Sequence, residues 1–509
     1  MIVEGAFHSR DRRSLDVGLQ KATVGGQKRG CNTTSTSKGY DRLNSALLSE
    51  IQLQLPPLPS DVNVLEWFSH KTQAQLPGNS APVRLVVTSS DSSGYLCEVT
   101  TFDDGTVDSR VHRNSLLEFR PRKVENTETF NAVLLVPTGI GAEIGGHAGD
   151  ATPVAQLLAS VCDLLITHPN VVNASDINEI PGNGLYVEGS IICRLMMGTA
   201  GLQPVRSNRV LVLMNSHTDP LFNTLTINSV NAARASYGLM CPRIIELDPP
   251  LVMISEYTPS SRAAGRVEDL GRVLELLDTH RGEYDAVAIS SVITVPTNFH
   301  GDYFNSEGSM VNPWGGVESM LTHTISSIYD VPSAHSPMLE SQEVLDADTG
   351  IVDPRMAAEA VSTTFLQSIL KGLQKSPRII TDQDALHHPG VLNSSHVSCL
   401  VIPDGCLGLP TLAALEQGIP VIAVRENRNL MRNDLTQLPW QPGQLHVVEN
   451  YWEAVGIMAA MKAGIAPNSV RRPIKLVPVE KSGSKLAADL SSSTNGVSGL
   501  GIASHQTRT

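Results

Sequence analysis

The sequence has no run of about 18 uninterrupted apolar residues, so it offers no candidate for a bilayer-spanning helix. Only 4% of its 509 residues are aromatic and 17% are charged, while 41% are hydrophobic. That apolar share excludes global disorder, and the length suits about two to four domains. Basic charge is in deficit: 38 Lys+Arg face 51 Asp+Glu, a formal net charge of −13. A general nucleic-acid binder would need a basic face, so no nucleic-acid partner is expected. There is no CxxC pair among the seven cysteines, Cys31, Cys97, Cys162, Cys193, Cys241, Cys399 and Cys406. Their odd number and wide spacing exclude a disulfide framework and a zinc site; reduced, mostly core-packed thiols are expected. HExxH, GxGxxG and the P-loop are also missing, so no metal is assigned and no cofactor is identified.

What charge there is lies unevenly. Met1 to Asn44 carries eight basic groups against four acids, and Arg471 to Thr509 six against two, which leaves −21 for the residues between. The first 44 residues lack an apolar h-region and so do not read as a secretory signal. Their basic, hydroxyl-rich composition fits an organellar transit peptide, with a plain disordered tail as the alternative. Residues 471–509 read as a disordered tail.

Residues 46–80, with Leu55-Pro-Pro-Leu-Pro59, read as a linker, and 81–125 as a small β-rich module. In that module Arg84–Thr88 and Tyr95–Thr100 are strand-like runs around a Ser-rich turn. From Asn131 onward, continuous apolar runs of strand length alternate with helical periodicity: Ala132–Val136, Arg209–Met214, Asp285–Ile289, Val397–Ile402 and Pro420–Val424 are the strands. Helices are expected at Pro153–Leu165 with Thr152 as cap, after Asp219-Pro220, at Val267–Leu277, at Asp353–Leu373, at Pro410–Gln417 ended by Gly418, and at Tyr451–Lys462 capped by Asn450. This pattern predicts an α/β protein with two Rossmann-like lobes, 131–345 and 346–470, of mostly parallel sheet flanked by helices. Ligands in such folds bind at the carboxyl ends of strands.

Three segments carry candidate chemistry. Between strand and helix, Val136–Asp150 holds Gly139, Gly141, Gly145, Gly146 and Gly149, a backbone suited to closing on a phosphate or carboxylate; the alternative is a long turn without a ligand. In it His147 and Asp150 form a candidate acid–base pair. His168 and Asn170 follow the next strand, and the embedded Glu188 needs a partner. A second concentration, Val295 to Glu318, brings His300, Asn298, Asp302, Asn312 and Trp314, with His323 and His335 beyond. In the third, Asp404 and Gly405 turn the chain before a helix that carries Glu416, as in the nucleotide-sugar site of two-lobed glycosyltransferases and epimerases; an ordinary βαβ crossover is the alternative.

Three strings, Gly141–Ala174, Met310–Ser326 and Asp404–Asn427, together resemble a plant and cyanobacterial family classed as a domain of unknown function. The resemblance spans roughly Asn131 to Pro467. It implies a soluble chloroplast (stromal) location for a plant-type member and no particular reaction.

The leading expectation is an enzyme that binds a small anionic metabolite, phosphorylated or nucleotide-linked, in a cleft between lobes. The glycine loop would hold the anion, and His147, Asp150, His168 and His300 would supply the acid–base groups. The competing readings are a non-enzymatic chloroplast assembly or regulatory factor, and a glycosyltransferase- or epimerase-like enzyme.

Overall fold

A computed structural model describes residues 46–78, 80–103 and 115–479. The expected transit peptide and residues 480–509 of the expected tail lie outside the described residues.

The protein is built on two parallel sheets and an antiparallel one. The first parallel sheet has six strands in the order Leu445–Val448, Val421–Val424, Cys399–Pro403, Asn131–Leu134, Leu164–Thr167, Gly184–Tyr186. The second runs Ile244–Leu247, Val210–Asn215, Ala286–Thr294, Ser333–Met338. Strands such as Val210–Asn215 and Asn131–Leu134 are buried along their whole length, because helices cover both faces and leave no polar side to alternate. The antiparallel sheet joins Val252–Tyr257, Ala263–Glu268, Leu47–Leu55, Gly94–Asp103 and Ala81–Asp91, ending on Leu407-Gly408. It meets the second parallel sheet where Met253 pairs with Ile293.

The mixed α/β class is as expected, but the division of the chain is not. Asn131–Leu134 and Cys399–Pro403, expected in separate lobes, are neighbours in one sheet, with Ala132 opposite Cys399. The first parallel sheet takes strands from both ends of the 131–470 region, and the second sheet is inserted between them. A fully apolar strand shows that it is buried, not which strand it pairs with. The supposed linker 46–80 contains the Leu47–Leu55 strand and a Val64–Gln73 helix. The hairpin of Ala81–Asp91 and Gly94–Asp103 forms as read, with Leu85 opposite Val99, but as part of the larger sheet and not as a separate module.

Most helix ends follow their sequence signals. Asn450 Oδ1 accepts from Glu453 N at 3.0 Å, Asp219 Oδ1 accepts from Leu221 N at 2.9 Å, and Gly418 closes its helix at φ 65°. The expected 353–373 helix is interrupted. A short turn at Pro354–Met356 and a helix at Ala357–Val361 precede Leu366–Lys375, and Phe365 at φ 54° redirects the chain. Thr152 is the first helical residue and not the cap; its hydroxyl donates to Val171 O at 3.2 Å.

Two buried ion-pair centres bind the antiparallel sheet together. Arg262, fully buried, donates to Glu98 Oε2 at 2.8 Å and contacts Glu50, and Arg84 reaches Glu50 at 3.3 Å. Burial acts to raise the Glu50 pKa, but Arg262 and Arg84 outweigh it and hold the carboxyl below its ordinary range.

Candidate functional site

Beyond the carboxyl ends of both parallel sheets lies a cavity of about 210 Å³. The first sheet contributes Thr138 and Gly139, His168 to Asn170, and Glu188, each just past a strand. The second contributes Ile293, Val295 and the end of Ser333–Met338. One wall is the Gly315–Tyr329 helix, which presents Gly315, Glu318, Ser319, Thr322 and His323 to the cavity. Those positions recur at helical spacing, so they form a stripe along one face of the helix.

The sequence places that helix so close through two glycines. A Cβ on Gly315 would meet Thr138 Cγ2 at 2.6 Å, and one on Gly316 would meet Ala263 O at 2.2 Å. Asn312 starts the helix: its Oδ1 accepts from Trp314 N at 3.0 Å and Gly315 N at 3.2 Å, while its Nδ2 donates to Glu359 at 3.1 Å.

The polar wall is organised as histidine–carboxylate pairs. His335 Nδ1 lies 2.9 Å from Glu318 Oε1, and its Nε2 lies 2.8 Å from Ser291 Oγ. With Glu318 as a carboxylate the ring proton belongs on Nδ1, and the serine hydroxyl donates to Nε2. The order Ser–His–Glu resembles a nucleophile constellation, but Ser291 is fully buried and sits 3.1 Å from Met253 Sδ. Its part is to fix the ring, and Glu318 and His335 are the members that line the cavity. His323 Nδ1 contacts Glu188 Oε1, and Glu188 Oε2 accepts from Ser190 N at 2.9 Å. Burial pushes Glu188 up, but His323 and the Ser190 donors outweigh it and keep the carboxyl below its ordinary value.

His168 is buried at the N-terminal end of Pro169–Val172, and its Nε2 accepts from Val136 N at 3.1 Å. Burial lowers its pKa to about 4, so the ring is neutral with its proton on Nδ1. His300 packs edge-on against Phe304 at 5.0 Å and Trp314 at 6.0 Å, and burial lowers its pKa too. Glu359 accepts from Ala148 N at 2.9 Å; its burial raises its pKa to about 7.

Thus His168, His300, Asn170, Asn312, Gly139 and Gly146 share one cavity wall. His147 and Asp150 do not act as a pair there. His147 Nδ1 bonds Tyr303 Oη at 2.8 Å and its Nε2 meets Gly308 O at 3.3 Å, while Asp150 Oδ1 accepts from Gly145 N at 2.7 Å.

Several N–H groups of the glycine loop are committed within the fold. Glu143 N donates to Arg428 O at 2.8 Å, Ile144 N to Asn427 Oδ1 at 2.9 Å, Gly145 N to Asp150, and Ala148 N to Glu359. Its glycines serve backbone packing: Gly141 has φ 60° and Gly145 φ 87°, and a Cβ on Gly146 would meet Ala142 O at 2.0 Å. Asn170 Nδ2 staples the loop by donating to Gly145 O at 2.7 Å and Val136 O at 3.1 Å.

Asp404, Gly405 and Glu416 lie outside this cavity. Asp404 Oδ1 accepts from Gly405 N at 2.9 Å, and Gly405 O accepts from Asn433 Nδ2 at 2.8 Å. Glu416 accepts from Val64 N and Asn63 Nδ2, both at 2.8 Å, and so secures the start of the Val64–Gln73 helix. A carboxylate spent on a helix start is not a ribose ligand. What sequence reasoning missed are Glu359, Glu340 and Ser175 at the wall; the stripe on 315–323 would have pointed to Glu318, Thr322 and His323 together.

A second, mainly apolar cavity of about 140 Å³ adjoins the first and shares Thr138, His168, Gly189, Ser319 and His323 with it. Its remaining wall includes Val83 to Val86 of the hairpin and Cys406 to Thr411. Among the described residues, no group of three or more His, Cys, Asp and Glu is arranged to hold a metal ion, and no helix is long and apolar enough to cross a membrane.

Comparison with known proteins identifies the kind of chain this is. A family described as a protein of unknown function, DUF3326, matches residues 131–471. An uncharacterised lipoprotein of Synechococcus sp. is 33% identical over 341 residues, covering 67% of this chain and 92% of the relative. No solved structure matches. The chain belongs to the DUF3326 family. The family match covers the strands of both parallel sheets and leaves out the hairpin that walls the apolar cavity.

Proposed function

We propose that this member of the DUF3326 family is an enzyme that transforms a small organic molecule by general acid–base chemistry in the polar cavity. The observation that supports it is the convergence of two histidine–carboxylate pairs, His323 with Glu188 and His335 with Glu318, on one cavity. A positioned acid–base group contributes about 10²–10⁴ in rate. His168, neutral through burial, adds an Nδ1–H donor beside them. Thr138, at the boundary of both cavities, supplies a further hydroxyl.

An anionic substrate draws no support from this wall. Ile144 N, Gly145 N and Ala148 N of the loop are engaged, and no Lys or Arg stands among the described residues that line the polar cavity. The nucleotide-sugar reading fares no better, since Glu416 and Asp404 are engaged elsewhere. For location we keep the chloroplast stroma, on the strength of the plant-type resemblance and the basic, hydroxyl-rich first 44 residues.

The test is to purify the full chain, identify the small molecule that co-purifies by mass spectrometry, and incubate fresh protein with an excess of it. Conversion to a product of different mass or stereochemistry is expected. A bound compound returned unchanged would contradict the enzyme reading and favour a non-enzymatic metabolite-binding factor.

A further inference from the structure

The wall of the polar cavity is strongly one-sided. Glu188, Glu318, Glu340 and Glu359 stand on it, and no Lys or Arg among the described residues does. Arg84, the one Lys or Arg among the described residues that line the adjoining apolar cavity, is already engaged: it donates to Ser319 Oγ at 2.6 Å, to Thr100 at 3.1 Å and to Glu50 at 3.3 Å. Trp314 and Phe304 add aromatic surface to the acidic wall, and carboxylates beside aromatic rings are the combination that suits an organic cation.

A second observation points to a missing ligand. Ser175 lines the polar cavity, is only 5% exposed, and its hydroxyl has no hydrogen-bond partner. Leaving a buried hydroxyl unpaired is unfavourable, so the site is complete only with an added polar group within reach. Ser175 also holds φ 54°, a conformation that non-glycine residues adopt rarely. That conformation belongs to the two-residue turn, Ser175-Asp176, of the hairpin that pairs Asn173–Ala174 with Ile177–Asn178.

The two cavities share Thr138, His168, Gly189, Ser319 and His323 in their walls. We propose that they form a single site for an amphiphilic organic cation, with its protonated amine among Glu188, Glu318, Ser175 and Trp314 and its apolar body in the chamber between the hairpin and residues 406–411. This deepens the acid–base reading and rests on it only in taking the polar cavity as the working site. A substrate amine beside histidine–carboxylate pairs is also a group whose proton those pairs can exchange.

Isothermal titration of the full chain at pH 7 tests the proposal with three probes: 3-phenylpropylammonium, 3-phenylpropanoate and methylammonium. The first is expected to bind at least tenfold more tightly than its carboxylate analogue, and at least tenfold more tightly than methylammonium, which lacks the apolar body. Glu318→Gln is expected to weaken the ammonium probe at least fivefold without weakening the carboxylate. Val86→Phe, which fills the apolar chamber, is expected to weaken phenylpropylammonium and leave methylammonium unchanged. The probe comparison uses the unaltered chain, so it does not depend on how any variant folds. Equal or tighter binding of the carboxylate, or no binding of phenylpropylammonium at millimolar concentration, overturns the proposal. Cation binding without turnover of any amine leaves the ligand class standing and removes only the enzyme reading.

Discussion

The glycine loop at 136–150 and the helix at 315–329 line the same cavity, yet they use their polar groups in opposite directions. The loop turns its donors inward: Gly145 N goes to Asp150 and Ile144 N to Asn427. The helix turns its polar groups outward, with Glu318, Thr322 and His323 at the wall. The loop is conspicuous in sequence because of its glycines, whereas the helix is not conspicuous at all. Glycine richness here reports how tightly backbone packs on backbone, as between Gly139 and Ala263. The proposed chemistry rests on the side chains of the helix.

The largest expected effect comes from the helix. His323→Gln keeps a polar group beside Glu188 but removes the imidazole, and it should lower turnover of the cavity's substrate by about 10²–10⁴ while substrate still binds. Steady-state kinetics beside a binding isotherm will show it. A rate within threefold of wild type would break the assignment of chemistry to the helix.

The loop should respond in stability instead. Gly145→Ala places a Cβ 2.8 Å from Val136 Cγ1 at φ 87°. It should destabilise the fold by about 2–3 kcal/mol in urea unfolding, with ligand affinity of the folded protein unchanged. Lost affinity at intact stability would restore the loop as a binding element.

Between the two regions, Glu359 ties Ala148 N of the loop to Asn312 before the helix. Its native pKa of about 7 lies above the ordinary 4.5, so the folded chain holds the proton more tightly than the unfolded one. Its stabilising contribution is complete below about pH 4.5 and is lost as pH rises towards 7. Glu359→Gln should therefore gain about 1–2 kcal/mol at pH 8 and nothing at pH 4.5, read from chemical denaturation at both values. Asp150, also raised to about 7 by burial, acts in the same sense. His168 acts in the opposite sense: its pKa is lowered to about 4 from 6.5, so stability is lost as pH falls through that window.

The smallest effect is expected far from both regions. Glu416→Gln weakens the start of the Val64–Gln73 helix and should lose about 1 kcal/mol, with no change in ligand binding. A binding defect would revive the nucleotide-sugar reading.

Much of this was legible in the sequence, and the rest has physical reasons for being hidden. Strands such as Val210–Asn215, and helix ends such as Asn450 and Gly418, carry local signals, and the structure bears them out. Pairing is not local: nothing in Asn131–Leu134 announces Cys399–Pro403, 267 residues away at the Ala132–Cys399 register, as its neighbour. His168 and Asn170 were visible because they follow a strand, and Glu188 because an embedded carboxylate needs a partner. Glu416 misled because the group that claims it, Val64 N, belongs to a segment read as a linker. Glu359 was hidden because the sequence suggests one long helix, where Phe365 in fact turns the chain.

The most direct test of the central claim is a crystal structure of the full chain with its co-purified small molecule. The account predicts the ligand's polar atoms within about 3.5 Å of Glu188, Glu318 or His323, with the backbone N–H groups of 143–145 still bonded to their present partners. A ligand held by those N–H groups, with the helix stripe untouched, would contradict it.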